Sequence, residues 1–128
     1  MSVRPVPTPS APPVAGPYSP AVRAGEWLVL AGQVGFDPAT GAIVEGGPAA
    51  QARQVLANVV AVLGDCGATV GDVAKATVFL TDMADFAAVN AVYAEVFGDH
   101  RPARSTVAVA GLPGGALVEI EVWAYLGT

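Results

Sequence analysis

A guanidinium, a hydroxyl and two carboxylates fall close together near the end of the chain: Arg104 and Thr106 on one β-rich run, Glu119 and Glu121 on the next. A guanidinium presents a planar fork of donors that grips a carboxylate bidentately, a geometry that lysine's point charge does not reproduce. A carboxylate beside it can take up and return protons, so the set suits a small carboxylate-bearing substrate. Side chains alternate across a strand. Over Leu117 to Tyr125 this sends Val118, Ile120, Val122 and Ala124 to one face, and Glu119, Glu121, Trp123 and Tyr125 to the other. Over Arg104 to Ala110, Ser105, Val107 and Val109 alternate with Arg104 and Thr106. If both aliphatic sets meet helices, Arg104 and Thr106 share the far face with Glu119. The intervening Gly111-Leu112-Pro113-Gly114-Gly115-Ala116 favours a tight reversal. The resulting hairpin pairs Thr106 with Glu119 or Glu121, and cross-strand neighbours lie about 5 Å apart. On pattern alone, Arg104 fits a structural ion pair with either glutamate as well as it fits a substrate clamp.

The elements that must position these groups are legible upstream. Met1 to Pro17 is Pro-rich and predicts an extended arm of polyproline character, with a single domain following over 18–128. Trp27-Leu28-Val29-Leu30-Ala31 and Ala42-Ile43-Val44 read as strands of a meander, with the turn Asp37-Pro38-Ala39-Thr40-Gly41 between them. Pro48 suits a first helical turn; Ala52, Val55, Leu56, Val59 and Leu63 then recur at helical spacing, and Gly64 is the expected stop. Val73 to Leu80 reads as a strand. Asp82 or Asp85 can cap a second helix, whose stripe is Phe86, Val89, Tyr93, Val96 and Phe97 and which Gly98 ends. Strands alternating with helices in this order predict an α+β domain, with two crossovers laying both helices on one face of a mixed sheet. Trp27, Val29, Val73, Thr77 and Phe79 are then expected on the uncovered face. An apolar face of that size marks an interface, so self-association with pockets at subunit boundaries is expected.

Composition narrows the function classes. A chain of 128 residues with 53% hydrophobic and 13% charged residues supports one well-filled core. The formal charge of -5 supplies no broad positive field, which disfavours nucleic acid as a partner. The single cysteine, Cys66, can form no internal disulfide, and no run is apolar and long enough to span a membrane, so a cytoplasmic protein is expected. Cys66 reads as a small packing residue and His100 as a loop residue without a second metal ligand at useful spacing. With no phosphate-cradling or dinucleotide-binding glycine pattern and no metal cluster in the sequence, neither a metal nor a cofactor is expected.

The same residues carry a family resemblance. Gly16-Pro17-Tyr18-Ser19, Ala31-Gly32-Gln33, Asp37-Pro38 with Thr40-Gly41, Gln51-Ala52-Arg53-Gln54 with Asn58, Val78-Phe79-Leu80-Thr81-Asp82, Asp85-Phe86 with Val89-Asn90, Pro102-Ala103-Arg104-Ser105 and Glu119-Ile120-Glu121 follow one another in order. Together they resemble the Rid family of reactive intermediate deaminases, most closely its RidA branch, over almost the whole chain from Gly16. The resemblance implies a chorismate-mutase-like (bacillus-type) fold assembled as a homotrimer with sites between subunits. It also implies cofactor-free hydrolysis of 2-imino acids or their enamine tautomers, 2-aminoacrylate and 2-aminocrotonate, to 2-keto acids and ammonia. Carried over residue by residue, Arg104 clamps the substrate carboxylate and Glu119 assists water. Tyr18, Gly32, Asn90 and the backbone of Thr106 contact the substrate. Ala31 stands where the family often has serine and Thr106 where RidA often has cysteine, departures that bear on substrate preference more than on reaction class. Other readings are a non-catalytic sensor of small carboxylates, a ribonuclease or translation inhibitor, and a pathway-specific enzyme for a larger imine.

Overall fold

A computed structural model describes residues 2–127, so Met1 of the arm and Thr128 of the domain lie outside the described residues. Pro48 lies in the first turn of helix α1, Gly47–Asp65, which buries Ala52, Val55, Leu56, Val59, Val62 and Leu63 along one side. The helix runs through Gly64. Its end is set instead by Gly67, whose φ of 78° is open to glycine, and by the Ala68 amide donating to the Leu63 carbonyl at 2.8 Å. Helix α2, Phe86–Phe97, follows a 3-10 turn at Met83–Asp85, where the Asp82 carboxylate accepts from the Ala84 amide at 2.9 Å. It stops at Gly98, with φ of 62°.

Seven strands form one mixed sheet: β1 Arg4–Pro5, β2 Ala21–Ala24, β3 Trp27–Leu30, β4 Gln33–Val34, β5 Val73–Leu80, β6 Ala103–Ala108 and β7 Val118–Tyr125. The order is β1-β2-β3-β7-β5-β6, with β4 also on β7; β5 and β6 are parallel and the other pairs antiparallel. This is the mixed α+β architecture expected from the sequence. Both helices pack on the face carrying Leu28, Leu30, Ala76, Val78, Leu80, Val118, Ile120, Val122 and Ala124, and these form one core with them. Ala42-Ile43-Val44 contributes only an isolated bridge from Ile43 to Phe36. The sheet starts inside the Pro-rich segment, where β1 pairs with β2; Val6 and Ala11 pack against the core, and the Ser10 hydroxyl donates to Asp65 at 2.8 Å.

Two expectations about the sheet are overturned. The β6–β7 hairpin does not form, because the two strands lie on opposite sides of β5. The α2 crossover sets β6 beside β5, while β7 runs between β5 and β3, where both of its edges find partners. Thr106 is therefore in register with Val78, and Glu119 with Phe79. Val73 is also not on the uncovered face: the register shifts between Val73 and Lys75, and this irregularity leaves Val73 opposite Ala124 and 1% exposed. The rest of the uncovered face is as expected, with Trp27, Trp123 and Tyr125 partly open and in edge-to-face contact. Among the described residues, no helix is long and apolar enough to cross a membrane.

Candidate active site

Glu119 sits at a break in the sheet. Between Trp27 and Gln33 the chain advances six residues while its partner β7 retreats five, from Tyr125 to Ile120, so one extra residue is absorbed near Ala31 and Gly32. The Glu119 side chain occupies the space a Cβ on Gly32 would need. Such a Cβ would stand 2.8 Å from Cδ and 3.0 Å from Cγ of Glu119, with Oε2 nearer still. A side chain at residue 32 would displace the carboxylate from this position.

Two buried amides of α1 brace the surrounding loops. Asn58 donates to the carbonyls of Val34 at 3.3 Å and Phe36 at 2.9 Å, and Gln51 Oε1 accepts from the Leu117 amide at 2.9 Å. Tyr18, Ala31, Gly32, Gln33, Phe36, Pro113, Gly114 and Glu119 line a cavity of about 560 Å³, one wall of which is Pro12 to Ala15 of the N-terminal arm. Burial pushes the Glu119 carboxyl above the usual glutamate range, and the charge of Glu121 adds to the rise.

Arg104 belongs to a second pocket on the other face of the sheet. It is in register with Ala76, which is wholly buried beneath the helices, so the Arg104 side chain turns toward α2. Its guanidinium lies 4.7 Å from the ring centre of Tyr93 and 5.7 Å from that of Phe86. Tyr93 in turn stacks on Phe97 at 4.4 Å and 24°. Asn90, Tyr93, Ala94, Arg101, Pro102 and Arg104 line this pocket, of about 310 Å³. The Tyr93 hydroxyl is buried with no hydrogen-bond partner among the described residues. Burial raises its pKa, with the charges of Arg104 and then Arg101 acting in the opposite sense.

The site residues expected from sequence are thus divided. Tyr18, Gly32 and Glu119 share one pocket, Asn90 and Arg104 share the other, and Thr106 follows Arg104 at the next same-face position of β6. The expected meeting of Arg104 and Glu119 on one face of a single chain is corrected. On a parallel ladder, residues in register share a face, so Ser105 and Val107 join Thr77 and Phe79 on the uncovered side, and Lys75 Nζ donates to Ser105 Oγ at 3.0 Å there. The helical stripe in the sequence gives Phe86 and Tyr93 a packing role alone, whereas both rings lie against Arg104. The signal that could have singled out Tyr93 is a hydroxyl in an otherwise apolar stripe, one turn after Asn90. Arg101 and the arm residues Pro12 to Ala15 were also missed.

The fold and its two separate pockets define a small mixed-sheet α+β protein with an arginine-lined pocket and a glutamate-lined pocket. The chain belongs to the endoribonuclease L-PSP family, whose model matches residues 8–126. It is 52% identical to a RutC family protein of Pyrococcus horikoshii over 92% of this chain and 94% of that one. It is 45% identical to a protein of Capra hircus named 2-iminobutanoate/2-iminopropanoate deaminase, over 94% of this chain and 88% of that one. The crystal structure of E. coli TdcF with bound serine superposes with a TM-score of 0.91 at 40% identity, covering 97% of this chain and 99% of that one. The resemblance to the Rid family read from the sequence is borne out.

Proposed function

We propose that the protein hydrolyses reactive 2-imino acids and their enamine tautomers, 2-aminoacrylate and 2-aminocrotonate, to 2-keto acids and ammonia. The site is completed between two copies of the chain, the Arg104 pocket of one facing the Glu119 pocket of the next. The observation that carries this reading is the division of complementary chemistry between opposite faces of one sheet: a guanidinium suited to a carboxylate on one, and a carboxylate with a raised pKa on the other. Contact between two different surfaces is heterologous, and such contacts make a closed ring where the rotation between subunits closes. A homotrimer, as the family resemblance implies, brings three such sites together. The open apolar groups Trp27, Val107, Trp123 and Tyr125 on the uncovered face supply area for that contact.

The chemistry follows from the groups present. Arg104 grips the substrate carboxylate and so fixes the adjacent imine carbon. Glu119 accepts a proton from water as its oxygen bonds to that carbon, giving a carbinolamine. That proton goes to the imine nitrogen, completing the neutral carbinolamine. The same carboxyl then carries the hydroxyl proton to the amino nitrogen as the C–O double bond forms, the C–N bond breaks with its electron pair going to nitrogen, and ammonia leaves. A carboxyl pushed upward by burial is a better proton acceptor than an exposed one, which suits it to this exchange. The name of the goat relative and the serine bound in TdcF support a small amino-acid-like substrate. The ribonuclease reading is less well supported, because a chain of charge -5 attracts polyanions weakly.

The test is a coupled assay in which a serine/threonine dehydratase generates 2-aminoacrylate and 2-aminocrotonate in place. Wild type accelerates ammonia and keto-acid release, while Arg104→Ala and Glu119→Ala do not. Absence of acceleration by folded, oligomeric wild type would reject the reading for these imines.

A further inference from the structure

The Arg104 pocket carries more positive charge than a single carboxylate needs. The chain has six Lys and Arg against eleven Asp and Glu, yet two of those six cations, Arg101 and Arg104, line this one small pocket, and none of its lining residues is acidic. Arg104 is held over the Tyr93 ring at the pocket floor. Arg101 stands at the rim, exposed, with its Nη1 donating to the Gly98 carbonyl of the loop that follows α2. That contact uses only part of its five-donor fork and leaves N–H groups of this pocket-lining residue free to donate to a ligand. The opposing half-site adds one negative charge, Glu119. Glu119 is assigned to water at the imine carbon, so with one substrate carboxylate on Arg104 no acidic residue lining the pocket is left to pair with Arg101.

We infer that this pocket takes imino acids bearing a second carboxylate, with Arg104 gripping the carboxylate next to the imine carbon and Arg101 the distal one. This rests on the hydrolytic reading above and names its substrate class: the imines of dicarboxylic amino acids such as aspartate and glutamate. The distal carboxylate takes no part in bond making. Water still adds to the imine carbon and ammonia still leaves, so the second contact acts on selectivity alone.

Amino-acid oxidases acting on alanine, aspartate and glutamate generate the three imines in place, with catalase removing peroxide. Arg101→Gln in the assembled protein is expected to lower kcat/KM for the aspartate and glutamate imines about fivefold more than for the alanine imine, the size of one solvent-accessible ion pair. Added salt narrows that difference. Calorimetry with 2-oxoglutarate and pyruvate reads the same preference without turnover, and Arg101→Gln should weaken 2-oxoglutarate the more. An equal effect of Arg101→Gln on mono- and dicarboxylates in both measurements overturns the inference. A binding preference that survives while wild type turns over no imine sinks the hydrolytic reading instead, and leaves Arg101 as the recogniser of a second carboxylate.

Discussion

Glu119 lies in the space that a side chain on residue 32 would fill, so Gly32 and Glu119 form one structural unit: the missing Cβ of the first is the seat of the second. The extra residue is absorbed near Ala31 and Gly32, and because Cβ is fixed by the backbone, only movement of the Glu119 side chain could relieve the overlap.

Gly32→Ala therefore displaces the carboxylate rather than merely crowding it. With the reacting group moved by about 1 Å, kcat/KM is expected to fall roughly 100-fold, the usual consequence of such misplacement. The displaced atoms are the far end of a flexible side chain, so the stability cost should fall below the roughly 1 to 3 kcal/mol typical of core overpacking. Steady-state kinetics alongside thermal unfolding separates the two effects, and wild-type kcat/KM in the variant would show that Glu119 need not sit there.

The raised pKa of Glu119 predicts both a rate and a stability dependence on pH. Catalysis by the ionised carboxylate falls as pH drops through a value above the ordinary glutamate range. Glu121→Gln removes the smaller of the two causes and should shift that limb to lower pH. The sign for stability is opposite to that of a salt-bridged carboxylate. Because folding raises this pKa, the folded state is favoured at pH below the unfolded value, and that advantage is lost as pH rises through the folded value. Glu119→Gln is accordingly expected to raise Tm at neutral pH, with the gain disappearing at acid pH. A variant less stable than wild type at pH 7 would contradict this.

Tyr93 supplies the ring face under Arg104, while its hydroxyl is buried without a partner. Tyr93→Phe keeps the ring and removes the unsatisfied group, so stability should hold or rise by about 1 kcal/mol with KM little changed. Tyr93→Leu removes the ring, and the lost cation–π contact of about 1 kcal/mol should raise KM roughly fivefold, leaving kcat less affected. Equal KM in the two variants would mean that the ring does not hold the guanidinium.

The limits of sequence reading here have a definite physical origin. Both helices were legible because their stripes repeat locally, as Val55, Leu56, Val59 and Leu63 do in α1. The faces of β7 were legible too, since Val118, Ile120, Val122 and Ala124 alternate cleanly with polar or aromatic residues and are all buried. Strand β6 carries no such signal. It is an edge strand with every residue half-buried or exposed, so the contrast between Arg104 and Val107 does not reveal which points to the core. Its neighbour was also misjudged, because closeness in sequence favoured β7 whereas the α2 crossover delivers β6 to β5. That single pairing decides which face Arg104 occupies, and so separates it from Glu119 within one chain.

Subunit complementation tests the composite site most directly. Arg104→Ala and Glu119→Ala, each inactive alone, are co-expressed so that mixed oligomers form. In a ring of heterologous contacts, a junction pairing the intact Arg104 of one chain with the intact Glu119 of its neighbour arises in about one case in four at equal mixing, as half of a half. Recovery of roughly a quarter of wild-type imine hydrolysis is the expected result. Mixed oligomers that remain as inactive as either parent, while assembling normally, would show that Arg104 and Glu119 do not act across the boundary between two chains.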